Sequence, residues 1–190
     1  TLIKEGINPY PARVHRTHTL KEALEEKEGQ EMTVTGRLMT KRDMGKLTFA
    51  HLQDGTGRMQ IALKKDEIDE AAYKHFLKKI DSGDIIEVTG EKFITHKKEP
   101  SVLVRSFTLL SKALLPLPDK FHGLNDEETR YRKRYLDLLI NEGQKEKIIV
   151  RSRILKYMRD YLDNAGFIEV ETPSLEVVAS GALAQTFDTH

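Results

Sequence analysis

A mainly β, α+β fold built on a five-stranded Greek-key barrel is predicted by three features of this 190-residue sequence. Apolar residues alternate with a period of two in several short runs. Those runs fall in the order strand, strand, strand, helix, strand, strand, and glycine-bearing or polar turns part the paired strands.

The first element is a short helix. After an extended stretch around Pro9 and Pro11, Thr19 followed by Glu22 forms a capping-box pattern, and Leu20, Ala23 and Leu24 give the helix an apolar side. The run "MTVTGRL", Met32 to Leu38, supplies the first strand. In the second, Thr48, Ala50 and Leu52 share one face while Leu47, Phe49 and His51 share the other. Asp54-Gly55-Thr56-Gly57 turns the chain into a third strand, where Met59, Ile61 and Leu63 alternate with Gln60 and Ala62. Ile68, Ala72, Phe76 and Ile80 then recur at helical spacing, ending before Ser82-Gly83. "DIIEVTGEKFITH" and "PSVLVRSFTLL", joined by the polar "KKE" turn, complete the set. This order matches the OB barrel, whose second and third strands form the usual face for oligonucleotides.

The outer face of that hairpin is chemically unusual. If Leu52 packs with Met59, Ile61 and Leu63, then Phe49, His51 and Gln60 lie together outside, flanked by Lys41, Arg42 and Lys46. A ring can stack on an unpaired base, an amide can read its edge, and cations can hold phosphate. A single outward Phe is also ordinary surface in many proteins, and the same barrel serves oligosaccharides and other proteins, so these residues leave the ligand class open.

Composition narrows the field. Charged residues make up 32% of the chain yet the net charge is +1, so attraction to a polyanion must come from local clusters. The chain has no cysteine, which excludes a disulfide framework and thiolate metal sites and suits a reducing compartment. No apolar run approaches membrane-spanning length and no signal-peptide pattern opens the chain, so a cytoplasmic protein with no membrane partner is expected. The chain opens on Thr1, so the natural start is expected upstream. The histidines are scattered without the spacing of metal ligands, and no phosphate-binding glycine loop is present.

Beyond the barrel, Pro116 and Pro118 stiffen a linker, and the acidic "NDEE" opens a helix that turns basic at "RYRKRY". Arg130, Arg132, Lys133 and Arg134 read as a solvated or interdomain face rather than an RNA grip. A longer helix follows with Ile154, Leu155, Met158, Tyr161 and Leu162 as its expected buried stripe and Gly166 at its end; "FIEVETP" reads as a strand stopped by Pro173. The expected organisation is an N-terminal helical extension (1–30), the barrel (31–111), a linker with a basic helix (112–141) and the front of a second domain (142–190).

The block "GKLTFAHLQDGTGRMQ", the linker "KALLPLPDKFHGLNDEETRYRKRYLDLLIN" and the segment ending "GFIEVETPSL" together resemble lysyl-tRNA synthetase of the class II type. The resemblance spans nearly all of this chain but only the front of such an enzyme. Aspartyl and asparaginyl enzymes share the barrel and a helix-strand-proline motif 1; the "PLPDKFHGL" and "RYRKRYLDL" linker points to lysine. The resemblance implies that the barrel binds the uridine-rich anticodon of a lysine tRNA. Phe49 corresponds to the ring that stacks on an anticodon base, Arg42 and Gln60 to polar readers beside it, and Glu99 to a carboxylate that contacts another base; His51 is a peripheral contact on the same face. Before the acid, where the family more often has glycine, this chain has Lys98.

By the same resemblance, motif 1 forms the interface of a homodimer, and Gly181 and Ala182 match a loop near the bound lysine. The family commonly has a basic residue and proline where this chain reads Gln185-Thr186 before Phe187. The family uses ATP and Mg to join lysine to its tRNA. The arginines of motifs 2 and 3 and the lysine-selecting and magnesium-holding acids lie beyond His190 in family order, so this chain alone is not expected to activate lysine. Two other readings are a non-specific single-stranded nucleic-acid binder on the same barrel, and a dimerisation or scaffold fragment.

Overall fold

Glu31–Asp43 (β1), Leu47–Gln53 (β2), Arg58–Lys64 (β3), Ile85–Ile94 (β4) and Pro100–Ser111 (β5) close into a barrel in the order β1-β2-β3-β5-β4. Every pairing is antiparallel except that of β3 with β5. The computed structural model describes residues 2–118, 124–141 and 143–173. The chain divides into two compact units, Thr1–Asp119 and Lys120–His190.

The barrel core is the inner face that alternation predicts. Val34, Leu38, Leu52, Ile61, Val88 and Val102 are fully buried, one or more from each strand. Two helices close it. Leu20–Glu25 (α1) begins with the expected capping box, in which the Thr19 hydroxyl accepts from the Glu22 N–H and the Glu22 carboxylate accepts from the Thr19 N–H at 2.7 Å. Its apolar side, Leu20 and Ala23, is buried. Glu70–Lys79 (α2), between β3 and β4, is capped by Asp69 and buries Tyr73 and Phe76.

The Asp54 turn fastens α1 to the hairpin. Asp54 Oδ1 accepts from the backbone of Thr56 and Gly57, and Oδ2 accepts from the Leu20 N–H at 3.0 Å. Burial raises the Asp54 pKa, but these hydrogen bonds outweigh it and hold the carboxyl below its ordinary value.

The last carbonyls of each helix are met by a lysine from the sheet. Lys41 Nζ donates to the carbonyls of Leu77 at 3.0 Å and Ile80 at 2.5 Å; Lys92 Nζ donates to those of Leu24, at 2.6 Å, and Glu26. Helix C-terminal carbonyls lack intrahelical donors and carry partial negative charge, so a buried ammonium is well placed there. Desolvation holds Lys41 below the ordinary lysine pKa, opposed by the nearby Asp81 carboxylate.

Lys41 is therefore not one of the cations flanking the outer face that the sequence reading expects. The β1–β2 pairing slips between Leu38 and Thr40, leaving Met39 unmatched. Leu38 and Met39 are both buried, and beyond them the faces exchange: Lys41 pairs with the inward Ala50, and Arg42 with Phe49.

In the second unit the single basic helix of the sequence reading is two. Glu127–Arg132 (α3) is capped by Asp126, and the chain bends at Lys133 before Arg134–Ile140 (α4). The bend folds both ends onto Asp137, which is fully buried. It accepts from Arg130 Nε at 2.8 Å, from Arg134 at 2.7 Å and from Asn141 Nδ2 at 2.7 Å. Burial raises the Asp137 pKa and these donors more than offset it, so the net shift is downward.

Gln144–Asn164 (α5) ends as expected at Gly166, whose φ of 86° is the left-handed conformation glycine favours. Its apolar stripe is present but not buried: Ile154, Met158 and Tyr161 are all more than half exposed, because no other described element packs on them. "FIEVETP" likewise forms no strand through residue 173; no described neighbour supplies ladder hydrogen bonds, and Phe167, Ile168 and Val170 are exposed. Among the described residues, no helix is long and apolar enough to cross a membrane.

Candidate nucleic-acid interface

Two adjacent rows of side chains run across the outer face of β1, β2, β3 and β5. In one, Arg42 lies opposite Phe49, Phe49 opposite Ala62 and Ala62 opposite Leu103. In the other, Thr40 lies opposite His51, His51 opposite Gln60 and Gln60 opposite Ser101. The rows are two residues apart along each strand, about 7 Å, roughly the span of a base with its ring on one row and its edge over the other.

The first row is a shelf. Phe49 is half-buried, and the side chain next to it on β3 is a methyl, Ala62, which is itself fully buried, so the exposed part of this row is Phe49 with Arg42. Arg42 is exposed beside it. This outward placement of Phe49 is the one alternation predicts from the inward Ala50 and Leu52.

The second row is a closed polar network. His51 Nδ1 lies 2.9 Å from Thr40 Oγ1, and His51 Nε2 lies 3.1 Å from Glu99 Oε1. Gln60 Nε2 donates to Glu99 Oε2 at 2.8 Å, and Ser101 Oγ donates to Gln60 Oε1 at 2.8 Å. These partners explain why Gln60, on an outer face, is only 9% exposed. All five residues singled out from the sequence, Arg42, Phe49, His51, Gln60 and Glu99, thus lie on this face or at its edge.

Glu99 enters from the turn between β4 and β5. Lys98 adopts φ 61°, the left-handed region that glycine takes without strain. The turn is held by Lys98 N–H to the Thr95 carbonyl at 2.8 Å and by Glu99 N–H to Thr95 Oγ1 at 3.1 Å. Lysine therefore keeps the left-handed conformation here, and the carboxylate still reaches the second row. His96, Lys97 and Lys98 are exposed on the same turn.

Thr40 and Ser101 were not legible as members of the site. Thr40 reaches the outer face only through the Met39 bulge, and Ser101 depends on the parallel β3–β5 register. The basic run is occupied elsewhere: Arg130 and Arg134 hold Asp137, and Arg132 pairs with Glu128 at 2.5 Å. Gly181 and Ala182, with Gln185 and Thr186, lie outside the described residues.

Residues 32–110 match the family of the OB-fold nucleic acid binding domain, and residues 126–190 that of tRNA synthetases class II (D, K and N). The chain is 49% identical over its whole length to a Lysine--tRNA ligase of Carboxydothermus hydrogenoformans. It is 50% identical over its whole length to one of Listeria monocytogenes, and 50% identical over 97% of its length to one of Bacillus subtilis. It spans 39% to 40% of the length of these relatives.

Proposed function

We propose, for a chain that belongs to the class II lysyl-tRNA synthetase family, that its barrel reads the anticodon of a lysine tRNA. The observation that carries this is the pairing of a half-exposed ring beside a cation, Phe49 with Arg42, with a polar row that ends in the Glu99 carboxylate. Phe49 stacks on a base, Arg42 holds the backbone or a base edge beside it, and Gln60 and Glu99 read hydrogen-bonding groups. A carboxylate accepts and cannot donate, so where it faces ring N3 it favours uracil, whose N3 carries a hydrogen, over cytosine, whose N3 is itself an acceptor and whose only Watson–Crick-edge donor is the N4 amino group one position along.

In a protein of the relatives' full length this reading assigns the class II domain the chemistry. Lysine's carboxylate would attack the α-phosphorus of ATP to give lysyl-adenylate and pyrophosphate, and the tRNA's terminal ribose hydroxyl would then attack the lysyl carbonyl and release AMP. Magnesium and ATP belong to that domain. Among the described residues, no group of three or more His, Asp and Glu side chains is placed to hold a metal ion, and no step is assigned to them. Gly181 and Ala182 would lie near the bound lysine, two copies would pair through α5 and the segment after it, and the protein would work in the cytoplasm.

Replacing Phe49 by alanine is expected to weaken binding of a uridine-anticodon stem-loop by about 1–3 kcal/mol, the usual cost of a lost base stack. The melting temperature of the barrel should stay put, because the ring is not part of the core. Unchanged RNA affinity in a filter-binding titration would remove Phe49 from the site.

The turn cations make a separate contribution. Lys97→Gln combined with Lys98→Gln is expected to lower the slope of log affinity against log salt by about 1.4, at about 0.7 per neutralised phosphate on a single strand. A slope equal to that of the unchanged protein would mean that the turn does not touch the RNA backbone. A non-specific single-strand binder, the second reading, predicts equal affinity for uridine-rich and adenine-rich loops.

A further inference from the structure

Glu99 is held from both sides before any RNA arrives. One oxygen is 3.1 Å from His51 Nε2 and the other accepts from Gln60 Nε2 at 2.8 Å. A carboxylate only accepts hydrogen bonds, so His51 Nε2 carries the hydrogen in that contact, and in the neutral ring Nδ1 accepts from the Thr40 hydroxyl 2.9 Å away. The imidazole is thereby fixed in plane and in tautomer by one partner on β1 and one on the β4–β5 turn.

We infer that His51 is a positioning residue: it aims the Glu99 carboxylate at the base, and base discrimination depends on it even though it need not touch the RNA. This rests on the anticodon-reading assignment above. Glu99 stands at the end of a turn with its side chain 45% exposed, against 27% for His51. A glutamate so placed loses rotamer freedom when it meets a ligand, and a partner that restrains it beforehand removes that cost from binding. Each carboxylate oxygen can accept more than one hydrogen bond, so the contacts with His51 and Gln60 leave acceptor sites for a base N–H. Gln60, held by Ser101 through Oε1, fixes one carboxylate oxygen, and His51 fixes the other.

Two substitutions separate aiming from mere packing. The amide nitrogen of glutamine reaches about as far from Cβ as Nε2, so His51→Gln keeps the donor toward Glu99. The asparagine amide reaches only as far as Nδ1, so His51→Asn keeps the contact with Thr40 and loses Glu99. The full chain is titrated with a stem-loop carrying a UUU anticodon and with the same loop in which each uridine in turn is cytidine.

The expected result is that His51→Asn loses roughly tenfold in uracil-over-cytosine discrimination at one position, the scale of one hydrogen bond to a charged group. His51→Gln keeps discrimination within about twofold, and both variants keep the melting temperature of the unchanged chain. In a Glu99→Gln background, His51→Asn adds nothing further. Equal loss in both single variants, retention by asparagine alone, or no loss in either overturns the inference. If the unchanged chain does not discriminate between the loops, the anticodon reading itself fails, and this inference falls with it.

Discussion

Gly90→Ala is expected to prevent the barrel from closing. Gly90 sits on the inner face of β4, between Met32 of β1 and Val104 of β5, where the β4–β5 register shifts. A methyl group at this position would lie 2.1 Å from the Leu103 carbonyl oxygen, 2.8 Å from its carbon and 2.9 Å from a Val102 methyl. The two nearest atoms are backbone of the neighbouring strand, so no rotamer change relieves the overlap, and the strands must part. The cost should exceed about 4–5 kcal/mol, a large part of the roughly 5–15 kcal/mol that holds a domain folded. Circular dichroism should show no cooperative melt for this variant at 25 °C. Gly45→Ala is the control: it also strains a positive φ, of 86°, but its methyl would meet nothing within 4 Å. A cooperative Gly90→Ala melt near that of the unchanged protein would mean that the strands do not approach as closely as described.

Phe76→Ala should be the most damaging simple truncation in the core, at about 3–5 kcal/mol, lowering the melting temperature by roughly 10 °C or more. The ring is fully buried, meets Phe107 edge-to-face with centroids 5.2 Å apart, and lies 5.8 Å below the Lys41 ammonium. α2 has only ten residues, too few to stand without packing, and Phe76 and Tyr73 are its buried anchors. Losing the ring therefore loosens the helix end that Lys41 caps, and the half-buried ammonium loses its acceptors with it. Thermal melts of the variant test this directly; a loss under about 1 kcal/mol would mean that α2 rests on the barrel without completing its core. Any effect of these two substitutions on the outer face should follow the loss of folded barrel, which sets them apart from Phe49→Ala.

The barrel could be read closely from the sequence because one physical rule governs each part that was legible. Period-two alternation placed Ala50, Leu52, Met59, Ile61 and Leu63 inside and Phe49 outside, and Thr19 with Glu22 announced the first turn of α1. The outer face was legible in the hairpin alone, since His51 and Gln60 are cross-strand neighbours whose register follows from a short turn. Lys41 was misplaced for a reason that alternation cannot see: a bulge adds a residue without leaving a compositional mark. The break at Lys133 was hidden too, because the charges around it suit a continuous helix as well as the fold onto Asp137. The stripe of α5 was read correctly as a pattern and incorrectly as buried. A pattern shows that a face wants a partner; burial needs the partner to be there.

The unmatched Met39 makes β1 obey two different alphabets. Before it, odd and even positions answer to the packing of the core, as Met32 and Val34 do; after it, the parity is inverted and the outward positions, Thr40 and Arg42, answer to whatever the face binds. One strand thus serves two masters without compromise at any single residue. Substitutions upstream of Met39 can tune the barrel's solidity while the outward end keeps its spacing. Straightening the bulge with Met39 kept would make the alternation uniform in the numbering, turning Arg42 into the interior and Lys41 out to solvent and uncoupling α2 and the outer face at a stroke, whereas deleting Met39 would leave both side chains facing as they do.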